Sequence, residues 1–325
     1  MIEARDKLSG ECSSSRNEPT AERIIDRFEK DCTIRGMSPG TVEVYVYNVK
    51  TFHRYLDQHG LNLLDVDKDI LRDYLEYQRF ERGLSQKTVE NQFTTLSSFY
   101  EYLAYEGLLE TNPVLQVRKR YLRRYKDNDD GQTRQLISVE DMTRLINSTL
   151  DARDKAIITL FAKTGIRRKE LIALDVDDIE WVEQSIRLKP TAKRTNRTVF
   201  FDDETSFILR RWMRVRESRN KGRVKALFIN NRGERIQRSG VSRMVEKVAL
   251  QVGLHDPNSD RMEDHFSPHC CRHWFTTHLR RAGMPREFIQ ELRGDARKEA
   301  IDIYDHIDRK ELRESYLAHI PQLGI

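Results

Sequence analysis

The sequence predicts a mainly α-helical protein with a small β-sheet, organised in two domains. Apolar residues recur at spacings of three and four through most of the chain, which is typical of helices with one buried face. Short apolar runs bounded by turn residues cluster between positions 179 and 229, which indicates a few short strands. The length of 325 residues exceeds the ~250 that one hydrophobic core usually holds.

The first domain is predicted at residues 20–115, after a charged and serine-rich segment, residues 1–19, that is interpreted as a flexible tail. Its four helices are separated by clear start signals. Ser38, which is followed by proline, begins the second helix, Asp67 begins the third and Ser85 begins the fourth. Short connections between these helices favour a compact helical domain.

Residues 116–135 lack an apolar period and are interpreted as a basic linker. Five of its seven cations are the candidates for contact with a partner, namely Arg118, Lys119, Arg120, Arg123 and Arg124. A second basic zone, residues 187–238, holds 16 basic and 5 acidic residues. Two such zones with interleaved aromatic residues indicate a polyanionic partner, most simply nucleic acid, although solvated helix faces also carry runs of charge.

The second domain is predicted at residues 136–325. It opens with helices, and its strands are expected at 179–182, 185–188, 198–201 and 227–229. From Ser239 onward the pattern is again helical.

Composition argues against several other classes of protein. No apolar run approaches the ~18 residues of a membrane-spanning helix, and the first thirty residues lack the apolar core of a signal peptide. The four cysteines do not have the spacing of a disulfide framework or of a structural zinc site. We therefore expect a protein of the reducing cytoplasm that crosses no membrane.

Four short motifs in the second domain place polar residues at predicted helix boundaries. The first is Thr164-Gly-Ile-Arg-Arg-Lys-Glu-Leu171, the second is Ser267-Pro-His-Cys-Cys-Arg-His-Trp274 and the third is Leu292-Arg-Gly-Asp-Ala296. The fourth is a tyrosine that follows nine residues after the aspartate of the third. The residues of interest in these motifs are Arg167, Glu170, His269, Arg272, Asp295 and Tyr304.

In this order and spacing the motifs resemble the signature of the tyrosine recombinases, the family of phage integrases and Xer-like recombinases. That signature reads TGLRxxEL, a lysine in a β-hairpin, PHxLRH, LGH and a tyrosine nine positions later. Each motif alone is weak evidence for the family, whereas the whole set in this order and spacing is specific to it. The resemblance covers both domains, because the family carries a helical, SAM-like core-binding domain ahead of a mixed α+β catalytic domain.

The resemblance implies a site-specific DNA recombinase or integrase that works through a 3′-phosphotyrosyl intermediate without metal, ATP or cofactor. It makes Tyr304 the nucleophile, with Arg167, His269 and Arg272 around the phosphate and Glu170 in support. Forked guanidinium donors suit this chemistry, because charge spreads over the nonbridging oxygens in the transition state. The general acid would be a hairpin lysine, for which Lys193 aligns best and Lys189 is the alternative.

One position departs from the family signature. Asp295 stands where the family usually has histidine or tryptophan. A carboxylate beside a phosphate would be repulsive, so Asp295 is expected either to hold an arginine or His269 in place, or to be a neutral acid that donates a hydrogen bond.

Other interpretations of the same residues compete with this one. His269 and His273 could bind zinc with Cys270 and Cys271, but adjacent cysteines project about 100° apart on a helix, and Cys270 is expected in the core with Trp274 and Phe275. Tyr316 is a rival nucleophile that lacks the family offset. A type IB topoisomerase-like enzyme would use the same chemistry as a monomer, and a catalytically degenerate member would only bind DNA.

The C-terminal tail, residues 311–325, carries an apolar stripe that ends at Pro321 and consists of Leu312, Tyr316, Leu317 and Ile320. The stripe can fold back on its own domain. The resemblance favours docking on a neighbouring protomer, within a homotetramer that joins two double-stranded DNA sites. Accessory DNA-bending proteins are compatible with such an assembly.

Overall fold

The computed structural model describes residues 20–122, 135–190, 197–222, 224–295 and 307–325. These residues form two compact units that divide between residues 122 and 135. The prediction of a mainly helical protein with a small sheet is confirmed. None of the helices in the described ranges is long and apolar enough to cross a membrane.

Within residues 20–122, the first unit contains five helices. They are α1 (Ala21–Ile34), α2 (Pro39–Gln58), α3 (Lys68–Glu76), which continues into a π-helical turn (Tyr77–Glu81), α4 (Gln86–Tyr105) and α5 (Val114–Tyr121). The predicted caps are confirmed, because the side chains of Ser38, Asp67 and Ser85 each accept a hydrogen bond from a backbone N–H of the first turn. An aromatic core holds these helices together, with Phe52 and Tyr74 ring centroids 4.7 Å apart.

Helix α5 lies where the first part of the linker was predicted. Val114 and Val117 are buried in the core of the first unit, and Leu122 packs there too. The prediction of a linker was therefore wrong for residues 116–122, because three apolar side chains suffice to seat a short helix whose other faces are basic. Arg118, Lys119 and Arg120 lie in its last turn, and Arg123 and Arg124 lie outside the described residues.

The second unit combines helices with a small antiparallel sheet. Its helices are α6 (Val139–Ser148), α7 (Ala152–Thr164), α8 (Arg168–Ala173), α9 (Asp203–Arg219), α10 (Arg238–Gln251), α11 (Pro268–Arg281), α12 (Arg286–Arg293) and α13 (Arg309–His319). Its strands are β1 (Ile179–Glu180), β2 (Ser185–Leu188) and β3 (Arg197–Phe200), in the order β1-β2-β3. In the pairing of β2 with β3, Leu188 lies opposite Arg197.

The predicted strand at 227–229 was wrong. Its apolar residues are buried, but only isolated bridges form there, at Ala226 and Ile229. A short buried apolar run has no periodicity that distinguishes a strand from irregular core structure.

Helix α7 is the centre of the second unit and fixes the approach to the site. Every residue from Ala156 to Thr164 is buried, and the helix packs against α9 and α11. It ends at Gly165, whose φ of 60° is left-handed. A Cβ there would lie 2.8 Å from Phe275 Cγ, so glycine is required both by conformation and by space.

The C-terminal tail corrects another expectation. Leu312, Tyr316, Ile320 and Leu323 are buried in the core of their own unit. The Tyr316 hydroxyl donates to the Lys163 carbonyl at 2.9 Å, in the last turn of α7. The expectation that the tail docks on a neighbouring protomer was therefore wrong for this structure, since its own domain covers the stripe.

A buried ionic cluster fastens the end of this tail. Lys163 is fully buried and lies 2.5 Å from Asp202 and 2.5 Å from Glu204. Its ammonium also donates to the Pro321 carbonyl at 2.8 Å. The Glu204 carboxylate accepts hydrogen bonds from the backbone N–H groups of Leu323 and Gly324. The cluster thus gives partners to the buried Asp202, the partly buried Glu204 and the backbone of residues 321–324.

Candidate active site

Two predicted arginines reach the same place from different helices. Arg167 is the residue before α8, directly after the left-handed turn at Gly165. Arg272 lies in the second turn of α11 and is buried, and its Nη1 donates to the Gly165 carbonyl at 2.6 Å. The end of α7 therefore helps to place both side chains.

A single carbonyl oxygen gathers the arginines. The Arg293 carbonyl, at the end of α12, accepts from Arg167 Nη1 at 3.1 Å, from Arg272 Nη2 at 2.8 Å and from Arg197 Nη1. The last carbonyls of a helix have no intrahelical partner, and the helix dipole makes that end partly negative. Gly294, with φ 59°, ends α12 and leaves the carbonyl open to these donors.

Asp295 lies among the same guanidinium groups. Its Oδ1 is 3.2 Å from Arg167 Nη2 and 3.4 Å from Arg272 Nη2, and its Oδ2 is 3.0 Å from Arg293 Nε. The carboxylate accepts hydrogen bonds from Arg167 and Arg272 and is ion-paired with Arg293. Of the two expectations for Asp295, the geometry favours the one in which it holds arginines in place.

The Glu170 carboxylate forms hydrogen bonds with two arginines, Arg167 and Arg197. Its Oε2 accepts from the Arg167 backbone N–H at 2.6 Å and from Arg197 Nη2 at 2.9 Å, and its Oε1 is 3.4 Å from Arg167 Nη1. It therefore fixes both the backbone and the side chain of Arg167, as the supporting role predicted for it requires.

The two arginines open into a cavity of about 400 Å³. His269, in the first turn of α11, lines it together with Arg167, Arg168, Arg238 and Arg272. His269 and Arg272 thus share a face, as their spacing predicts. Four guanidinium groups in one concave site attract an anion strongly.

The surroundings of Arg272 disfavour its charged form. Burial, together with the positive charges of Arg167 and Arg293, lowers the pKa of Arg272, and the Asp295 carboxylate opposes that effect. A buried cation whose charge is only partly balanced gains free energy when an anion binds beside it. The electrostatics of the cavity therefore favour a bound anion.

Two predicted residues, Lys193 and Tyr304, lie outside the described residues. The alternative lysine, Lys189, pairs with Asp175 and lies 3.9 Å from Asp178, and it does not line the cavity. The rival nucleophile Tyr316 is fully buried, and burial raises the pKa of its phenol well above the ordinary value. Neither alternative is placed to act on a phosphate in the cavity.

The alternative zinc site finds no support in the described part of the chain, where no three metal-ligating side chains are grouped. Cys270, Trp274 and Phe275 are buried in the core, as predicted. The sequence patterns did not identify Arg168 and Arg238, which line the cavity, or Arg197, which is only 8% exposed. The signal for Arg197 was weak: it shares the face of β3 with the buried Val199, where an apolar side chain is usual.

Comparison with known proteins agrees with this geometry. Residues 132–311 match the Phage integrase family, and residues 24–109 match the Phage integrase, N-terminal SAM-like domain. The chain therefore belongs to the phage integrase family, the tyrosine recombinases.

Among named proteins, the chain is similar to the tyrosine recombinase XerC of Thermodesulfovibrio yellowstonii, with 30% identity over 87% of this chain and 90% of that protein. It is 31% identical to XerC of Alcanivorax borkumensis over 87% of this chain and 88% of that protein. The Tn1549 transposon integrase in complex with a circular intermediate DNA has the same fold, with a TM-score of 0.66 and 17% identity over 90% of this chain and 97% of that one. A lambda integrase dimer bound to a core site gives a TM-score of 0.65 and 17% identity over 89% and 99%.

Proposed function

We propose that this tyrosine recombinase cleaves and rejoins double-stranded DNA at specific sites, with the scissile phosphate bound in the cavity of Arg167 and Arg272. The observation that carries the proposal is the convergence of these two side chains on one carbonyl and one carboxylate at the cavity wall. Their remaining N–H donors are free to turn toward a phosphate, and His269 adds a donor at the same cavity.

In the proposed reaction, the phenol of Tyr304 gives up its proton to solvent water, and its oxygen attacks phosphorus. The bond from phosphorus to the 5′ oxygen breaks, and that oxygen takes a proton from Lys193. The 3′ phosphate is then esterified to tyrosine, and attack by a 5′ hydroxyl reverses these steps and joins the strands. Arg167, His269 and Arg272 act by stabilising the negative charge on the nonbridging oxygens.

Asp295 takes part in this proposal as a positioning residue. It touches Arg167 and Arg272 but is set to accept hydrogen bonds, so it keeps the two guanidinium planes oriented while they carry the phosphate. A carboxylate that is bound to the two guanidinium groups has its charge compensated by them, and this limits its repulsion of the phosphate.

The basic end of α5 supplies the proposed contacts of the first unit with the DNA backbone. Arg118 and Lys119 line a cavity of about 700 Å³ together with Lys87 and Asn91 of α4. Arg118 Nη2 donates to Thr94 Oγ1 at 3.2 Å, which orients its side chain along that cavity. Arg120, Arg123 and Arg124 would extend the same basic run. Phosphate contacts of this type give affinity that falls steeply with salt.

The proposed assembly is a homotetramer on two DNA sites. Exchange between two duplexes needs one nucleophile for each of four strands, so four protomers complete the reaction, and accessory DNA-bending proteins could assist the pairing. Supercoil relaxation by a monomer, without products that join two duplexes, would instead indicate a topoisomerase-like enzyme.

The decisive experiment traps the covalent intermediate. A library of nicked duplexes with randomised sequence would be incubated with the protein, so that cleavage releases a short fragment and leaves protein attached to DNA. Tyr304→Phe removes only the attacking oxygen, so adducts should vanish while binding of the recovered duplexes persists. Tyr316→Phe is the matched control and should keep its adducts, because that hydroxyl is buried against the Lys163 carbonyl and does not line the cavity.

The arginines give a second test on the recovered duplexes. Arg167→Ala and Arg272→Ala should reduce cleavage far more than binding, because the guanidinium groups matter most when charge builds up at phosphorus. A wild-type protein that binds DNA without forming adducts would indicate a non-catalytic regulator. Undiminished adducts in Tyr304→Phe would contradict the assignment of the nucleophile.

A further inference from the structure

Arg197 is an almost fully buried cation to which the proposed reaction gives no task. It is the first residue of β3 and is 8% exposed. Its Nη2 lies 2.9 Å from Glu170 Oε2, and its Nη1 donates to the Arg293 carbonyl. Arg197 therefore joins the hairpin strand to α8 and to the end of α12, the two elements that place Arg167 and Asp295.

The contact with α12 is closely fitted. Gly294 lies directly under the Arg197 side chain, and a Cβ at that position would be 2.8 Å from Arg197 Cδ and 3.1 Å from its Cζ. The guanidinium group cannot move away easily, because a buried carboxylate and a carbonyl hold its two ends. Glycine at 294 thus serves both the left-handed helix end and the seat of Arg197.

The position of Arg197 in the chain indicates what it holds. Lys193 lies four residues earlier, and four residues span at most about 14 Å even when fully extended. The other strand of the hairpin is pinned at Lys189, whose ammonium pairs with Asp175 rather than with residues of the cavity. Among the described residues, Arg197 therefore supplies the charged contact between the hairpin and α8 and α12, beside the apolar packing of Leu188 and Val199 in the core.

Arg167 and Arg272 depend less on this residue. Both contact Asp295, and Arg272 is also held by the Gly165 carbonyl. Loss of Arg197 would leave these contacts in place. The hairpin would lose its charged connection to α8 and α12 and keep the apolar packing of its strands.

We propose that Arg197 is a positioning residue that anchors the base of the β2–β3 hairpin, so that Lys193 reaches the leaving 5′ oxygen. The proposal rests on the function proposed above, with Lys193 as general acid. Misplacement of a catalytic group by about 1 Å costs roughly 100-fold in rate. Loss of the anchor should therefore resemble loss of the acid, without loss of the phosphate site.

The test compares two leaving groups. Single-turnover cleavage would be measured on a nicked duplex with the natural 5′ oxygen and on the same duplex with a bridging 5′ sulfur, which leaves without a proton. Arg197→Gln should slow cleavage of the oxygen substrate by about 100-fold and that of the sulfur substrate by less than about 3-fold. Lys193→Ala should show the same pattern.

Matched variants separate positioning from folding. Arg216→Gln changes another buried arginine that bonds to backbone carbonyls, far from the cavity lining, so any loss should be equal on both substrates. If Arg197→Gln does not fold, Gly294→Ala displaces the guanidinium without removing it and should show the same rescue by sulfur. Gly253→Ala introduces a comparable left-handed strain with no atom within 4 Å and should show no difference between substrates.

The outcomes are distinct. Equal losses on both substrates in Arg197→Gln and Gly294→Ala, or no loss in either variant, would overturn the role of Arg197 while wild-type adducts still upheld the recombinase reaction. Absence of wild-type adducts on both substrates would overturn the proposed function itself. Rescue of the two variants and of Lys193→Ala by sulfur, with no rescue of Arg216→Gln, would establish the anchor.

Discussion

Asp295→Asn tests whether the aspartate in the site is a charged clamp or a neutral donor. The amide has nearly the same shape as the carboxyl group, and it can donate a hydrogen bond but carries no charge. If Asp295 were a neutral acid that donates to a phosphate, asparagine would replace it with little loss. If the carboxylate holds Arg167 and Arg272, as the contacts at 3.2 and 3.4 Å indicate, the substitution should impair cleavage.

The size of the effect follows from those contacts. A hydrogen bond between charged groups contributes about 1.5–3 kcal/mol, compared with about 0.5–1.5 kcal/mol for a neutral acceptor, so each contact to a site arginine weakens by about 1 kcal/mol. The Asp295 side chain is 30% exposed, and water screens part of this loss. A total of about 1–2 kcal/mol corresponds to roughly a 5- to 30-fold slower cleavage step.

Single-turnover cleavage of a trapped duplex measures this directly, with DNA binding measured in parallel. Binding should be unchanged or stronger, because a negative charge near the phosphate has been removed. Asp177→Asn, at a side chain that is 74% exposed and pairs with one lysine, is the control and should alter neither quantity. A cleavage rate in Asp295→Asn within 2-fold of wild type would refute the clamp.

Three further predictions follow from the charged clusters. Lys163→Met should lower the free energy of unfolding by about 3–5 kcal/mol in urea titration, because the buried Asp202 and the partly buried Glu204 would lose their cation. Lys155→Met, on a partly exposed side chain of the same helix, should cost less than about 1 kcal/mol. Sulfate at constant ionic strength should raise the melting temperature by binding in the cavity, and Arg272→Gln should abolish that rise. Cleavage should continue in EDTA, because guanidinium groups supply the positive charge; a rate lost in EDTA and restored by Mg²⁺ would contradict this.

Much of the fold could be predicted because its signals are local. Ser38, Asp67 and Ser85 cap helices through contacts with residues two or three positions away, so sequence neighbours contain the whole interaction. Two residues of the candidate site were found in the same way, since His269 and Arg272 share a helix face by spacing alone.

The contacts that were not predicted join residues far apart in the chain. Arg197 and Glu170 are 27 positions apart, and the Arg293 carbonyl gathers donors from three other elements. No local pattern marks a backbone oxygen as an acceptor for arginines. The packing of α5 on the first unit was not predicted for a related reason. Its buried residues, Val114 and Val117, lie in a segment in which charged residues predominate.

The C-terminal tail and the candidate site both contact the end of α7. This shared contact affects how the activity of a truncated protein should be interpreted. The Tyr316 hydroxyl bonds to the Lys163 carbonyl, and Arg272 bonds to the Gly165 carbonyl two residues later. Deletion of residues 311–325 would remove four buried apolar side chains from the core and leave Lys163 without the Pro321 carbonyl. Such a protein could lose cleavage because the last turn of α7 loosens and Arg272 shifts. A defect in recombination after truncation would therefore speak for assembly only if single-site cleavage and the melting temperature were unchanged.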